Sequence, residues 1–110
     1  MITTLAEGLD HPECVAWGPD GQVYAGGEAG QIYRIDPETG EVATIASTGG
    51  FCLGLALDAA ATVYVCDLTH RAVLAVDPAG SVHVVSRGAP ERPMVTPNFP
   101  AFGDDGAPYV

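Results

Sequence analysis

Short runs of apolar residues alternate with turn-forming residues along this chain of 110 residues. In its first half the apolar runs are rich in valine, isoleucine, tyrosine and alanine, and glycine, proline and aspartate fill the segments between them. Segments of this composition form tight turns between paired strands, so the pattern predicts a meander of four antiparallel strands. The predicted strands are Cys14–Trp17, Gln22–Ala25, Gln31–Ile35 and Val42–Ala46.

A sheet of this kind buries both of its faces only when other sheets pack against it, and the sequence contains copies of the pattern. Trp17–Ala25 reappears as Leu57–Val65, 40 residues later, and a third copy opens at Phe102–Val110. Repeats of about 40 residues with four strands each are typical of β-propeller blades. The sequence therefore predicts an all-β protein, a partial β-propeller of about two and a half four-stranded blades.

The expected blade boundaries follow from these offsets. Residues 12–47 and 51–87 are expected to form two complete units, and residues 97–110 the first part of a third, all within one propeller domain that spans residues 1–110. Propellers close with roughly four to eight blades, so we expect the chain to be a fragment of a longer protein. Ile2–Leu5 is expected to be a strand of the blade that closes the ring, and the segment 88–96 a loop between blades.

The charge of the chain limits the partners that it can bind. Fourteen acidic residues stand against four arginines and no lysine, which gives a formal charge of −10 at pH 7. Such a field repels nucleic acids and anionic membranes and favours cations, so neither a nucleic acid nor a membrane is an expected partner. No apolar run reaches the roughly 20 residues of a membrane helix, and no signal-peptide pattern opens the chain. We therefore expect a cytoplasmic protein.

Three cysteines, an odd number, do not form a disulfide framework. Cys14, Cys52 and Cys66 each lie beside apolar residues in predicted strands, so we expect buried, reduced thiols. His11 lies three residues before Cys14, but a structural zinc site needs a second pair of such ligands and is not expected.

A small polar group follows the second predicted strand of the second unit. Asp67, His70 and Arg71 have no chemical counterparts at the matching positions of the first unit. Two interpretations stay open: a salt link that stabilises the turn, and a contact to substrate at the mouth of the channel. The glycine-rich segment 26–30 is predicted to be a hairpin turn rather than a phosphate site, because neither a helix nor a lysine accompanies it.

Three longer motifs carry a resemblance to a known family. They are P-E-x-V-x-W-x-P-D-G-x-V-Y at Pro12–Tyr24, I-Y-R-I-D-P-x-T-G-E at Ile32–Glu41 and P-N-x-x-x-F-x-x-D-G-x-x-Y-V at Pro97–Val110. With these motifs the chain resembles the SMP-30/gluconolactonase/luciferin-regenerating-enzyme family and its strictosidine-synthase-like relatives. The resemblance implies a six-bladed β-propeller with a divalent metal ion at the bottom of the central channel.

Glu13 and Asn98 are the candidate metal ligands. The repeat offsets place Glu13, Leu53 and Asn98 at the same point of three successive units, at the start of the innermost strand beside the channel. A carboxylate and an amide oxygen suit a hard divalent cation, Ca²⁺ first, with Zn²⁺, Mn²⁺ and Mg²⁺ as alternatives. From the residues alone, an exposed loop position for Glu13 and a turn cap for Asn98 stay open.

The resemblance implies a metal-dependent hydrolase that acts on a small-molecule lactone or ester. In this family the metal ion polarises the substrate carbonyl and activates the attacking water. An Asn, an Asp and the general base of later blades complete the family's site. We therefore expect no catalytic residue within these 110 residues and no activity from them alone.

The residues around Asn98 depart from the family pattern. The chain reads Thr96-Pro97-Asn98-Phe99, whereas gluconolactonase-like members carry an arginine here that helps to hold the sugar. Thr96 and Phe99 are then candidate substrate contacts, and they favour a less polar substrate than a sugar lactone.

A non-catalytic binding or scaffold propeller, NHL-like or strictosidine-synthase-like, is the alternative function. In such a protein Glu13 and Asn98 would be structural. Under either function, two stacked blades leave open sheet faces at each end, so we expect the fragment to self-associate.

Overall fold

The computed structural model describes all residues from Met1 to Val110 and contains β-strands but no helix, and so no membrane-spanning helix. The strands form two four-stranded antiparallel sheets and two two-stranded ones. The first sheet consists of β1 Val15–Trp17, β2 Val23–Gly26, β3 Gln31–Ile35 and β4 Val42–Ser47. The second consists of β5 Cys52–Leu57, β6 Val63–Asp67, β7 Ala72–Val76 and β8 Val82–Ser86. The small sheets pair β9 Gly88–Ala89 with β10 Arg92–Pro93, and β11 Ala101–Phe102 with β12 Pro108–Tyr109.

Both large sheets are meanders in which strands adjacent in sequence pair with each other. Each predicted strand of the first unit ends within one residue of the observed one, so these predictions are confirmed. Val15 pairs with Ala25 in the first sheet, and Leu55 pairs with Val65 in the second. The offset of 40 residues between the sequence repeats is therefore also the offset between their strand registers.

The two large sheets stack on each other and share one hydrophobic core. Its members from the second sheet alternate along β6 and β7, because successive side chains of a strand point to opposite faces. Tyr24 and Ile32 join them from the first sheet. The buried members of this core are Tyr24, Ile32, Cys52, Leu55, Val63, Val65, Ala72, Leu74 and Val76.

The other face of the second sheet receives the start of the third unit. Phe102 packs edge-on against Tyr64, with ring centroids 5.2 Å apart and an angle of 84° between the rings, an arrangement that aromatic pairs favour. Ala101 pairs with Tyr109 and Phe102 with Pro108. The three units thus lie in a row, each packed on the next.

One polar contact recurs in the first turn of every unit, where a tyrosine hydroxyl donates to an aspartate. The pairs are Tyr24 with Asp20 at 2.7 Å, Tyr64 with Asp58 at 3.3 Å and Tyr109 with Asp105 at 3.2 Å. Asp58 stands two residues earlier in its turn than the other aspartates, at the position that Gly18 takes in the first unit. A Cβ atom at Gly18 would collide with Asp20 and lie 2.7 Å from the Tyr24 ring, so this turn has room for one aspartate.

The segment 88–96, predicted to be a loop, is in part a small hairpin, and this prediction is corrected. Ala89 pairs with Arg92 and Gly88 with Pro93. Gly88 adopts a φ of 89°, which glycine reaches without steric cost. Proline is tolerated in such a short, edge-type strand because no further strand needs its missing N–H group.

Ile2–Leu5 forms no strand, since the chain offers it no strand partner. Its placement nevertheless resembles that of a strand. A Cβ atom on Gly40 would lie 2.7 Å from the carbonyl oxygen of Leu5, and one on Gly80 would lie 2.6 Å from that of Ile45. Ile45 belongs to β4, the outermost strand of the first sheet, and it contacts the second unit at Gly80. Leu5 contacts the first unit at the equivalent glycine, Gly40, and so takes the place that an outermost strand of a preceding sheet would take. Pairing of this segment with a closing blade stays a prediction.

Candidate functional site

Strand pairing places the two candidate metal ligands at equivalent positions. In each unit, one alanine of the first strand pairs with a tyrosine of the second strand. These pairs are Ala16 with Tyr24, Ala56 with Tyr64 and Ala101 with Tyr109. Three residues before each alanine stand Glu13, Leu53 and Asn98. The equivalence that the sequence offsets predict is therefore also present in the strand register.

Glu13 lies at the edge of an apolar cavity of about 310 Å³ between the N-terminal segment and the open face of the first sheet. Its carboxylate is exposed and is the only charged group among the lining residues. The lining residues are Leu5, Ala6, Leu9, Pro12, Glu13, Cys14, Val15, Val23, Ala25 and Ile35. The carboxylate is thus accessible to a cation.

A larger and more open cavity, of about 590 Å³, contains the other three predicted site residues. Thr96, Asn98 and Phe99 all line it, and Arg92 of β10 supplies its only charged group. The remaining lining residues are Gly88, Met94, Val95, Pro97 and Val110. The structure therefore brings Thr96, Asn98 and Phe99 together, whereas Glu13 lines a different cavity.

The main chain of Asn98 is held in place from the neighbouring unit. The N–H group of Gly54, in β5, donates a hydrogen bond of 2.7 Å to the Asn98 carbonyl oxygen. The Asn98 residue is otherwise exposed, which leaves its side-chain amide oxygen accessible. The donor set of Glu13 and Asn98 fits a divalent cation in its chemistry, because both side chains offer accessible oxygen atoms. Their role as ligands stays a prediction.

A cluster that the sequence analysis missed joins Asp10, His11 and Glu28. Nδ1 of His11 lies 2.9 Å from Oδ1 of Asp10 and 3.1 Å from Oε2 of Glu28. The hydrogen bond with Asp10, together with the charge of Glu28, raises the pKa of His11. The same bond, with further hydrogen bonds from Gln31 and Ala29, lowers the pKa of Asp10. Although these groups could hold a metal ion, a hydrogen bond between the His11 imidazole and the Asp10 carboxylate accounts for the shorter of the two distances.

No sequence signal marks this cluster. Glu28 is far from His11 along the chain and approaches it only because the β2–β3 turn folds back over the residues before β1. The N–H group of Glu28 donates to the carbonyl oxygen of Asp10 at 3.1 Å, which fixes that approach.

Asp67 anchors the connection between the first and second sheets. It is fully buried, and its carboxylate accepts hydrogen bonds from the Thr48 hydroxyl at 2.7 Å and from the N–H groups of His70 at 2.9 Å and Phe51 at 3.3 Å. Nδ1 of His70 lies 3.0 Å from the same carboxylate. Burial raises the pKa of Asp67, but these hydrogen bonds outweigh it and hold the pKa below its usual value. Of the two open interpretations, the structure supports a turn-stabilising link, because a fully buried carboxylate cannot contact substrate.

All three cysteines are free thiols, as predicted. Cys52 and Cys66 are buried, and burial raises the pKa of each thiol to about 11. They are therefore protonated at neutral pH and poor nucleophiles. Cys14 is half-buried, with its sulfur 3.7 Å from the carbonyl oxygen of Leu55.

Residues 1–35 match the family model of strictosidine synthase-like proteins, N-terminal part. A search of curated protein sequences finds no match. Among solved structures, a gluconolactonase from Xanthomonas campestris superposes with a TM-score of 0.84 at 23% identity, over 96% of this chain and 36% of that protein. A catalytically inactive virginiamycin B lyase from Staphylococcus aureus, solved with quinupristin, gives a TM-score of 0.73 at 16% identity, over 93% of this chain and 34% of the lyase.

The chain has the fold of a β-propeller segment. The prediction of a partial, all-β propeller is thereby confirmed. The matches also support the resemblance to the gluconolactonase and strictosidine-synthase-like group. The chain spans about a third of the length of either solved neighbour.

Proposed function

We propose that this chain is the N-terminal part of a metal-dependent hydrolase that opens a lactone or cleaves an ester. The superposition on a gluconolactonase over 96% of the chain is the observation that carries the proposal. Glu13 and Asn98 add to it, because they precede the first strands of their units at equivalent positions and a propeller directs equivalent residues at its innermost strands toward one axis. The acidic charge of the chain also favours a cation as cofactor.

Glu13 and Asn98 would contribute a carboxylate oxygen and an amide oxygen to the cation site. Ca²⁺ fits this hard, all-oxygen pair best, with Mn²⁺, Mg²⁺ and Zn²⁺ as alternatives. A divalent cation bound there would polarise the substrate carbonyl and lower the pKa of a bound water molecule. The hydrogen bond from Gly54 to the Asn98 carbonyl oxygen would hold the main chain of Asn98 for this role.

Thr96, Phe99 and Arg92 would form the substrate side of the site. They line the same cavity as Asn98, together with the apolar side chains of Met94 and Val95. A hydroxyl, a guanidinium and an aromatic ring suit a substrate with an oxygen-rich end and an apolar body better than a fully hydroxylated sugar lactone. Cytoplasmic location is part of the proposal, supported by three free thiols, since disulfides are rare in that compartment.

A binding or scaffold propeller without catalysis is the second candidate. The observation that favours it is the separation of Glu13 and Asn98 into different cavities, the first of them lined mainly by apolar residues. The virginiamycin B lyase neighbour has a related fold and a different activity, so the fold alone does not choose between the candidates.

Hydrolysis of a panel of lactones by the full-length protein tests the proposal. We expect opening of aliphatic lactones that depends on Ca²⁺ or Mn²⁺ and disappears in chelator. Because loss of a residue that only supports a metal ligand already costs about 10- to 100-fold in metal affinity or activity, Glu13→Gln and Asn98→Ala should each lower kcat/KM by about 10-fold or more. Glu41→Gln, which removes another exposed carboxylate, is the matched control and should behave as the unmodified protein. Activity that persists in chelator would contradict the metal dependence, and the absence of activity on every lactone and ester would favour the scaffold.

A further inference from the structure

Gly54 of β5 lies in close contact with Asn98 and Phe99, which precede the first strand of the third unit. Its N–H group donates to the Asn98 carbonyl oxygen at 2.7 Å. A Cβ atom on Gly54 would lie 2.5 Å from that oxygen, 2.6 Å from Cδ2 of Phe99 and 2.7 Å from Cα of Phe99. Real Cβ atoms essentially never come within 3.0 Å of other heavy atoms, so any side chain here forces the Asn98–Phe99 main chain away.

Backbone conformation does not require glycine at this position. The φ of Gly54 is outside the left-handed region, unlike that of Gly49 or Gly88. The equivalent residue of the first unit is Cys14, which keeps its side chain and places its sulfur 3.7 Å from the carbonyl oxygen of Leu55. The boundary between the first and second units thus accommodates a side chain, and the boundary that holds Asn98 does not.

We propose that Gly54 is a positioning residue for the cation site: by carrying no side chain and donating its N–H group, it fixes the main chain from which the Asn98 amide reaches the cation. This inference rests on the proposed function. It adds a residue that has no ligand atom of its own and acts only through Asn98.

An alanine at position 54 has a defined consequence. Relief of the contact with the Asn98 oxygen requires a shift of about 0.5 Å, and the hydrogen bond lengthens or breaks. Misplacement by about 1 Å can cost a site two orders of magnitude in function. We therefore expect Gly54→Ala to weaken cation binding at Asn98 by at least 10-fold while both ligand side chains are still present.

Asn98 is the only asparagine of the chain, which offers a direct readout. In a two-dimensional ¹⁵N–¹H spectrum of the full-length protein with ¹⁵N confined to residues 1–110 by segmental ligation, the labelled side-chain amides are those of Asn98, Gln22 and Gln31. Titration with paramagnetic Mn²⁺ should broaden the Asn98 amide signals first. Gln31 is an internal control for loose binding to acidic groups, because its side-chain nitrogen lies 3.2 Å from the Asp10 carboxylate. In Gly54→Ala, broadening of Asn98 should need at least 10-fold more Mn²⁺.

Gly26→Ala is the matched control variant. Gly26 is buried, its φ is outside the left-handed region, and a Cβ atom there would lie 2.6 Å from Cβ of Cys52. Gly26→Ala therefore perturbs the packing between the first and second sheets without contacting Asn98, and its Mn²⁺ midpoint should equal that of the unmodified chain. Equal midpoints for Gly54→Ala and the unmodified chain would overturn the role of Gly54. Absence of selective Asn98 broadening in the unmodified chain would instead overturn the proposed cation site.

A measurement on the unmodified chain covers the case in which Gly54→Ala does not fold. If the hydrogen bond from Gly54 strengthens cation binding by Asn98, then cation binding must strengthen that hydrogen bond equally, because coupling between two sites is reciprocal. Saturating Ca²⁺ should therefore protect the Gly54 amide hydrogen from exchange. We expect Ca²⁺ to slow hydrogen exchange of the Gly54 amide several-fold. The Gly18 amide, which donates to Gln22 at 2.8 Å, should exchange at an unchanged rate. Equal effects on both amides would contradict the proposal.

Discussion

Ala61 occupies a turn position at which the two other units have glycine. Its φ of 62° lies close to the 76° of Gly21 and the 77° of Gly106. A Cβ atom costs roughly 1–2 kcal/mol in this left-handed region, and glycine loses about 0.5–1 kcal/mol through its larger freedom in the unfolded chain. We expect Ala61→Gly to raise the free energy of unfolding by about 0.5 kcal/mol, measured by urea titration.

Ala60→Gly is the control for this substitution, since Ala60 lies in the same turn with a φ outside the left-handed region. It should lower the free energy of unfolding, because only the entropic cost of glycine applies. A loss of stability in both variants would show that the strain at Ala61 is relieved in some other way.

Asp67 makes stability depend on pH. Its folded-state pKa lies below the ordinary 3.8, so its contribution is present above about pH 4 and is lost as the pH falls through the folded-state value. Asp67→Asn removes a fully buried charged acceptor and should cost about 2 kcal/mol at pH 7. The difference from the unmodified chain should shrink toward pH 2, as followed by urea unfolding at several pH values.

Asp104→Asn, at an exposed position, should leave the unfolding curves almost unchanged at every pH. A pH-independent gap between Asp67→Asn and the unmodified chain would contradict the role given to the charge of Asp67.

At the scale of the strand and its turn, the aspartate that accepts from the tyrosine hydroxyl can stand at either of two turn positions, that of Asp20 in the first unit or that of Asp58 in the second. Asp20→Ala leaves the buried Tyr24 hydroxyl without its partner and should cost about 1–2 kcal/mol. Gly18→Asp alone places a second carboxylate into contact with Asp20 and should also destabilise the chain. The double variant reproduces the arrangement of Asp58 and Tyr64, and it should be more stable than the sum of the single effects by about 1 kcal/mol. Strictly additive free energies of unfolding would refute this exchange.

The strands were predictable from sequence because their signals are local. Alternating apolar runs and turn residues placed β1 to β4 within one residue of their observed bounds, and the repeat offsets placed Glu13 and Asn98 at equivalent register positions. The hairpin at Gly88–Pro93 was missed because each of its strands is two residues long, too short for a periodic signal. The contact of Gly54 with Asn98 was also missed, because it depends on the separation of two sheets, which no residue pattern encodes.

At the scale of the whole molecule, the first sheet presents an incompletely covered apolar face. Val15 and Trp17 lie on this face and are 66% and 68% exposed. Exposed apolar surface of this kind promotes association. We expect the 110-residue chain to sediment as oligomers at micromolar concentration, and Trp17→Gln to shift the distribution toward monomer.

Val95→Gln is the control, because Val95 is also 68% exposed but lies away from the first sheet, in the Asn98 cavity. It should leave the sedimentation pattern unchanged. A monomer with a sharp, reversible unfolding transition at micromolar concentration would refute self-association.

Leu5 and Ile45 are 40 residues apart and hold the same place against successive sheets. A 40-residue stretch that begins at Leu5 therefore carries a segment that lies against the first sheet, followed by the inner strands of that sheet. Gene duplication of such a stretch would insert one more sheet and, in the same event, the segment that lies against it. Proteins that evolve by such duplications can therefore gain blades while keeping the same contacts between neighbouring blades.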